Sequence, residues 1–193
     1  MLLAGIPERD CGVIIMLKGK RVTLRGVELT DVEEILKHFN DLEIRQFLGE
    51  AIPIAKPEEE EWVRSTWAQR REGRAHVFGI EFNETQQLIG TCGLHAISPI
   101  HRSTELGIAV WNKDYWGKGL GTEALRLLLD YAFNQLNLHR VWLRVIEDNE
   151  RAIHIYLKVG FQHTGRLRQC VFKQGGYQDL LIMDILEDEY HKE

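Results

Sequence analysis

Three glycines punctuate one short turn of the chain, Gly117-Lys118-Gly119-Leu120-Gly121, just after a strand-like segment and just before an apolar helical pattern. A strand that ends in glycines and opens a helix gathers unpaired backbone N–H groups at one point. The helix dipole adds partial positive charge there. Such a turn suits an anion, because glycine lets a phosphate approach the backbone and lets φ turn positive. Two familiar nucleotide loops are excluded by spacing, since neither GxxxxGK[ST] nor GxGxxG can be laid on these residues. A turn that uses glycine merely to fit tightly is the competing explanation. Further on, Asn149 stands before an apolar helical run in which Tyr156 shares a face with Ala152 and Val159. Asparagine is a good N-cap, and a tyrosine on such a face ordinarily fills core. Both residues therefore have a structural reading beside a chemical one. Cys11, Cys92 and Cys170 are odd in number and widely spaced, with no CxxC. That pattern argues against a disulfide framework or a zinc site and for a reducing compartment. The histidines are scattered without HExxH, and no metal is expected.

These residues need elements to position them. Lys20–Gly26 alternates polar and apolar, as a half-buried strand does. Thr30-Asp31-Val32-Glu33 has the form of a capping box opening a helix to about Asn40. Asp41–Lys56 reads as irregular. Pro57 followed by Glu58–Glu61 starts a helix that runs to about Glu72, its acidic residues forming a solvated first turn. Trp62 and Trp67 read as core or cleft wall. Strands follow at Ala75–Phe82, Leu88–Ser98 and Ser103–Trp111. The helix after the glycine turn should bury Leu120, Ala124, Leu127, Leu128 and Tyr131. Arg140–Ile146 is a strand, Asn149–Val159 a helix stopped by Gly160, and the remainder a long hairpin closed by Gln174-Gly175-Gly176. This order predicts an α+β chain: a mixed sheet with helices on both faces, as one domain over 16–193 with residues 1–15 a flexible extension.

The chain has 193 residues, 44% apolar and 27% charged, which suits one soluble globular domain. Its 24 Lys and Arg against 29 Asp and Glu leave a net charge of −5, unlike a dedicated nucleic-acid binder. No apolar run is long enough for a membrane span, and the N-terminal residues lack a secretory pattern, so a cytoplasmic location is expected.

Together, Tyr115–Ala124, Asn149-Glu-Arg-Ala-Ile-His-Ile-Tyr156 and Lys158-Val-Gly-Phe161 resemble the GNAT superfamily of acyl-CoA-dependent N-acetyltransferases. The family's phosphate loop, Gln/Arg-x-x-Gly-x-Gly/Ala, is filled by Trp116-Gly-Lys-Gly119-Leu-Gly121, with Trp116 where Gln or Arg is usual. The closing segment, Gly165-Arg-Leu-Arg and Gly176-Tyr-Gln-Asp to Met183, resembles the branch of ribosomal-protein alanine N-acetyltransferases. The Ala152–Tyr156 stretch and the hairpin also look like bacterial spermidine acetyltransferases.

The resemblance implies the GNAT fold, a mostly antiparallel mixed sheet splayed at a CoA slot, with acetyl-CoA as cosubstrate and no metal. It would place the CoA pyrophosphate on the backbone of Trp116, Gly117, Lys118, Gly119, Leu120, Gly121 and Thr122, with Lys118 as a loose counter-charge. The pantetheine arm would pair with backbone at Ile108 and Val110, Asn149 would hold it, and an N–H near Val110 would face the oxyanion. An attacking ammonium must lose a proton and the departing thiolate must gain one. Glu105 is the first candidate base, His95 a weaker one, and Tyr156 the candidate acid; no cysteine nucleophile is required. The leading acceptor is a protein N-terminal amine of the ribosomal type. A polyamine such as spermidine comes second, and a non-catalytic CoA-binding sensor is the rival from another class. Neither nucleic acid nor membrane is expected as a partner, and a homodimer stays open.

Overall fold

The computed structural model describes residues 16–45, 53–173 and 175–191. The expected extension over residues 1–15 and the turn residue Gln174 lie outside these. Eight strands form one sheet in the order β1-β2-β3-β4-β5-β6-β8-β7. The strands are β1 (Leu17–Lys18), β2 (Val22–Arg25), β3 (His76–Phe82), β4 (Gln87–Ser98), β5 (Ser103–Val110), β6 (Arg140–Ile146), β7 (Gln162–Lys173) and β8 (Gly176–Leu186). Every neighbouring pair is antiparallel except β5 and β6. The helices are α1 (Val32–Phe39), α2 (Leu42–Arg45), α3 (Lys56–Arg71), α4 (Leu120–Asp130), α5 (Glu150–Lys158) and α6 (Glu187–Tyr190).

Alternation along the central strands divides the core in two. On β3, Phe78 and Ile80 join a large cluster with Leu125, Leu128 and Leu129 of α4 and Tyr156 of α5. Val77, next to Phe78 on the strand, turns to the opposite side and packs with Val32 and Ile35 of α1, Ile44 of α2 and Val63 of α3. The sheet thus has α1–α3 on one face and α4–α5 on the other.

Four expectations need correction. The capping box sits two residues earlier: Asp31 Oδ2 accepts from the Glu28 N–H at 2.8 Å, and Asp31 also pairs with Arg25 at 2.9 Å. The guanidinium captures the carboxylate and draws the helix start towards β2. The span between α1 and α3 contains the short helix α2, whose Ile44 is buried. On α4, Leu125 and Leu129 are buried and Leu127 only partly so, because the helix packs against the sheet with a wider face than one stripe. Of the two readings of Trp62 and Trp67, core is the one that falls, since they are 36% and 37% exposed; Trp67 Nε1 donates to the Val27 carbonyl at 2.8 Å.

Arg25 lies between two carboxylates, bonding Asp31 through both terminal nitrogens and Glu81 through Nε at 2.6 Å. Removing one partner of a largely buried network leaves charge uncompensated. Arg25→Ala should therefore cost about 2 kcal/mol of unfolding free energy in urea denaturation, a discount for the network's partial exposure.

Candidate active site

The parallel pair β5/β6 closes over only Ser103–Glu105 against Arg140–Trp142. Beyond Glu105 the two strands part, while β6 stays bonded to β8 along its whole length. Parallel pairing shows which backbone groups this exposes. The Arg102 carbonyl accepts from the Arg140 N–H at 3.1 Å, so the β6-facing residues are the even-numbered ones. By alternation Leu106, Ile108 and Val110 turn their N–H and C=O towards the gap. Two of them, Ile108 and Val110, are the residues that sequence reasoning singled out. One carbonyl in this row is already engaged: Trp116 Nε1 donates to Val110 O at 2.6 Å. The remaining groups form a strand edge ready to pair with an extended amide-bearing chain.

The glycine turn stands at the open end of this gap. Gly117 and Gly119 adopt φ of +71° and +77°, and an added Cβ at either would meet no atom within 4 Å. Glycine is needed here for conformation and leaves the space above the turn clear. Gly119 is the N-cap of α4, so the first N–H groups of that helix open onto the same point. A Cβ on Gly121 would touch Val110 Cγ2 at 3.6 Å, which puts the turn directly beside the end of β5. The side chains of Leu120 and Thr122 are buried, so these two present backbone only. The turn is braced from behind by the β1–β2 connection. Arg21 Nη1 donates to the Lys118 carbonyl at 2.7 Å, and Glu123 Oε1 accepts from the Arg21 N–H at 2.7 Å. Lys118 Nζ lies over the Tyr115 ring at 5.3 Å. The turn and strand edge thus fit a ligand carrying a diphosphate and an extended arm, which is the shape of CoA.

Across the gap, Asn149 caps α5, its Oδ1 accepting from the Ala152 N–H at 3.1 Å. The structural reading of Asn149 therefore holds, and its amide NH₂ remains for another partner. Arg151, on the first turn of α5, places its guanidinium 4.2 Å from the Trp116 ring centroid. Sequence reasoning did not single out Arg151; only the meeting of the turn with α5 in space reveals it.

The titratable candidates divide between the two faces of the sheet. Leu106, Ile108 and Val110 point their side chains into the cluster that contains Tyr156. Tyr156 is 7% exposed, packs on Phe161 with ring centroids 5.8 Å apart, and burial pushes its phenol up to about 12. Its hydroxyl forms no hydrogen bond among the described residues. Glu105 and Gly107 face the α1–α3 side, where His95 lies opposite Glu105. His95 Nε2 is 3.1 Å and 3.5 Å from where a Cβ would stand on Gly93 and Gly107, so the imidazole lies across two glycines that make room for it. Burial lowers its pKa, and the charge of Glu105 opposes that shift. Glu105 itself is engaged: its Oε1 accepts from Arg144 Nε at 2.8 Å and Nη2 at 2.7 Å, tying β5 to β6 where their pairing ends. Cys92 is buried with its thiol pushed up by desolvation, and Cys170 is exposed. Among the described residues no group of three or more His, Cys, Asp or Glu side chains gathers to hold a metal, and no helix is long and apolar enough to cross a membrane.

The expected solvated turn Glu58–Glu61 is corrected at one residue, while Glu58 and Glu61 are exposed as expected. Glu59 is 4% exposed, on the same face of α3 as Val63 and Thr66, and desolvation raises its pKa.

Comparison with known proteins agrees with this geometry. The spermidine N(1)-acetyltransferase of Vibrio cholerae is 34% identical over 170 residues, covering 88% of this chain and 95% of that protein. A putative ribosomal N-acetyltransferase of Bacillus subtilis, YdaF, is 29% identical over 181 residues, covering 90% and 96%. A crystal structure of the Vibrio cholerae spermidine N-acetyltransferase in complex with CoA and spermine superposes with a TM-score of 0.80 at 32% identity, over 90% of this chain and 99% of that one. Residues 21–162 match the acetyltransferase (GNAT) domain family. With a glycine turn at the mouth of a parted sheet and that match over most of its length, the chain belongs to the GNAT family and is an N-acetyltransferase.

Proposed function

We propose that this enzyme transfers an acetyl group from acetyl-CoA to a primary amine of a polycationic acceptor of the spermidine type. The observation that carries the reading is the edge of β5 left open beyond Glu105, with the glycine turn at one end and titratable side chains on both faces. The backbone of residues 116–122 binds the diphosphate, Leu106, Ile108 and Val110 pair with the arm, and the Asn149 amide holds it. When bound, acetyl-CoA supplies the activated acyl carbon.

His95 and Tyr156 then divide the proton traffic. His95, kept neutral by burial, takes the proton from the incoming ammonium at Nε2, directly or through one water. The new C–N bond forms as the C–S bond breaks, the Tyr156 hydroxyl gives its proton to the departing sulfur, and the resulting phenolate recovers a proton from the acylated nitrogen, leaving a neutral amide and the phenol restored. His95 stands over Gly107, so the oxyanion donor nearest this point is the Ile108 N–H, one step along the row from Val110. Glu105, held by Arg144, steadies the imidazolium. The direction of its effect on His95 gives a test. Glu105→Gln removes the charge that raises the His95 pKa, so the acid limb of kcat/KM should move to lower pH while activity persists. His95→Gln should lower kcat about a hundredfold, at the low end for a general base. Abolished activity in Glu105→Gln with an active His95→Gln would reverse the two roles.

The polycationic acceptor rests on the likeness, in sequence and in structure, to the spermidine acetyltransferase of Vibrio cholerae. A protein N-terminal amine is the second reading, favoured by the likeness to YdaF. Release of free thiol from acetyl-CoA, measured with spermidine, spermine and peptides bearing free N-terminal alanine or serine, separates them. Turnover with peptides alone would overturn the polyamine reading. Binding without turnover on any amine would favour a sensor.

A further inference from the structure

We propose that Arg151 is a phosphate clamp for the nucleotide end of the cosubstrate, a role that rests on the acetyl-CoA reading above. Among the described residues Arg151 has no carboxylate partner. Its guanidinium is held 4.2 Å from the Trp116 ring centroid, and the Trp116 indole is itself pinned to the Val110 carbonyl at 2.6 Å. A flat cation stacked on an aromatic face keeps all its N–H donors in plane and available at the edge. Trp116 is the first residue of the glycine turn, so those donors lie beside the backbone N–H groups of residues 117–119.

The arrangement accounts for the departure at Trp116. Where the phosphate loop pattern has Gln or Arg, this chain has an indole, and the positive charge arrives from the other side of the gap on α5. Lys118, expected from the sequence to supply counter-charge, is turned onto Tyr115. Arginine offers what lysine does not: a planar fork that meets two phosphate oxygens at once. The donors serve a phosphate ester of the nucleotide, either the diphosphate in the turn or the 3′-phosphate of the ribose, and truncated ligands tell these apart.

The test is calorimetric binding of acetyl-CoA, acetyl-3′-dephospho-CoA and S-acetyl-pantetheine to the wild type and to Arg151→Gln. Arg151→Gln should weaken acetyl-CoA binding about tenfold, the scale of one charge-assisted pair. Its affinity for S-acetyl-pantetheine should equal that of the wild type. A loss that persists with the dephospho ligand assigns the clamp to the diphosphate, and a loss that disappears assigns it to the 3′-phosphate. Arg151→Lys should recover only part of the affinity. The clamp is overturned if Arg151→Gln binds acetyl-CoA like the wild type, or if it weakens all three ligands equally, which would make Arg151 only a prop for Trp116. Failure of the wild type to bind acetyl-CoA would strike the cosubstrate reading itself and would be visible before any variant is compared.

Discussion

Gly119→Glu should leave the protein folded and abolish acetyl-CoA binding. At φ of +77° any L side chain is strained, by about 1–2 kcal/mol. No protein atom lies within 4 Å of the new Cβ, so the strain is conformational and not a clash. Part of that cost is offset, because a carboxylate at the first turn of α4 interacts favourably with the helix dipole. For the same reason the substitution is severe for the ligand. The new carboxylate competes for the N–H groups that would otherwise meet a phosphate, fills the cleared space, and repels the diphosphate. Affinity should fall by more than about a thousandfold, the combined scale of lost charge-assisted bonds and added repulsion. Gly119→Ala, which adds strain without charge, should lose far less. Calorimetry with acetyl-CoA measures both, and circular dichroism confirms the fold. Wild-type affinity in Gly119→Glu would remove the glycine turn from the binding site.

Tyr156→Phe has the largest expected effect on turnover. Phenylalanine keeps the ring, its packing on Phe161 and its place in the cluster with Leu106, Ile108 and Val110. Only the O–H is lost, and in the free protein that group bonds to nothing among the described residues, so stability should hold. With the phenol pushed up to about 12, Tyr156 remains protonated across the working pH range and retains a proton to donate. The wild-type enzyme should therefore show no alkaline limb from Tyr156 below pH of about 10. Without the donor, the sulfur departs as a bare thiolate in a water-poor site. A drop in kcat of about a hundredfold or more, with the acetyl-CoA dissociation constant unchanged, is expected. An unchanged kcat would take Tyr156 out of the proton path; a weakened dissociation constant would make it a binding residue.

Local chemistry was written plainly in the chain. The strand periods, the helix opened by Pro57, the glycine turn leading into α4 and the Asn149 cap are set by neighbours within a few residues. The capping box at Thr30 failed because Arg25, six residues earlier on a different element, β2, bound the Asp31 carboxylate and moved the helix start. The solvated reading of Glu59 failed because helical spacing alone does not say which face the sheet will cover. What the sequence determined by itself was which residues can adopt a phosphate-receiving turn, cap a helix or carry a proton, since these depend on backbone freedom and side-chain type. Tertiary structure alone decided that β5 parts from β6 after Glu105, that Arg144 engages Glu105, that His95 lies across two glycines, and that Arg151 meets Trp116. Each of these depends on a contact, or the end of one, between separate elements of the chain. Long-range pairing depends on how whole strands and helices pack, which no local pattern encodes.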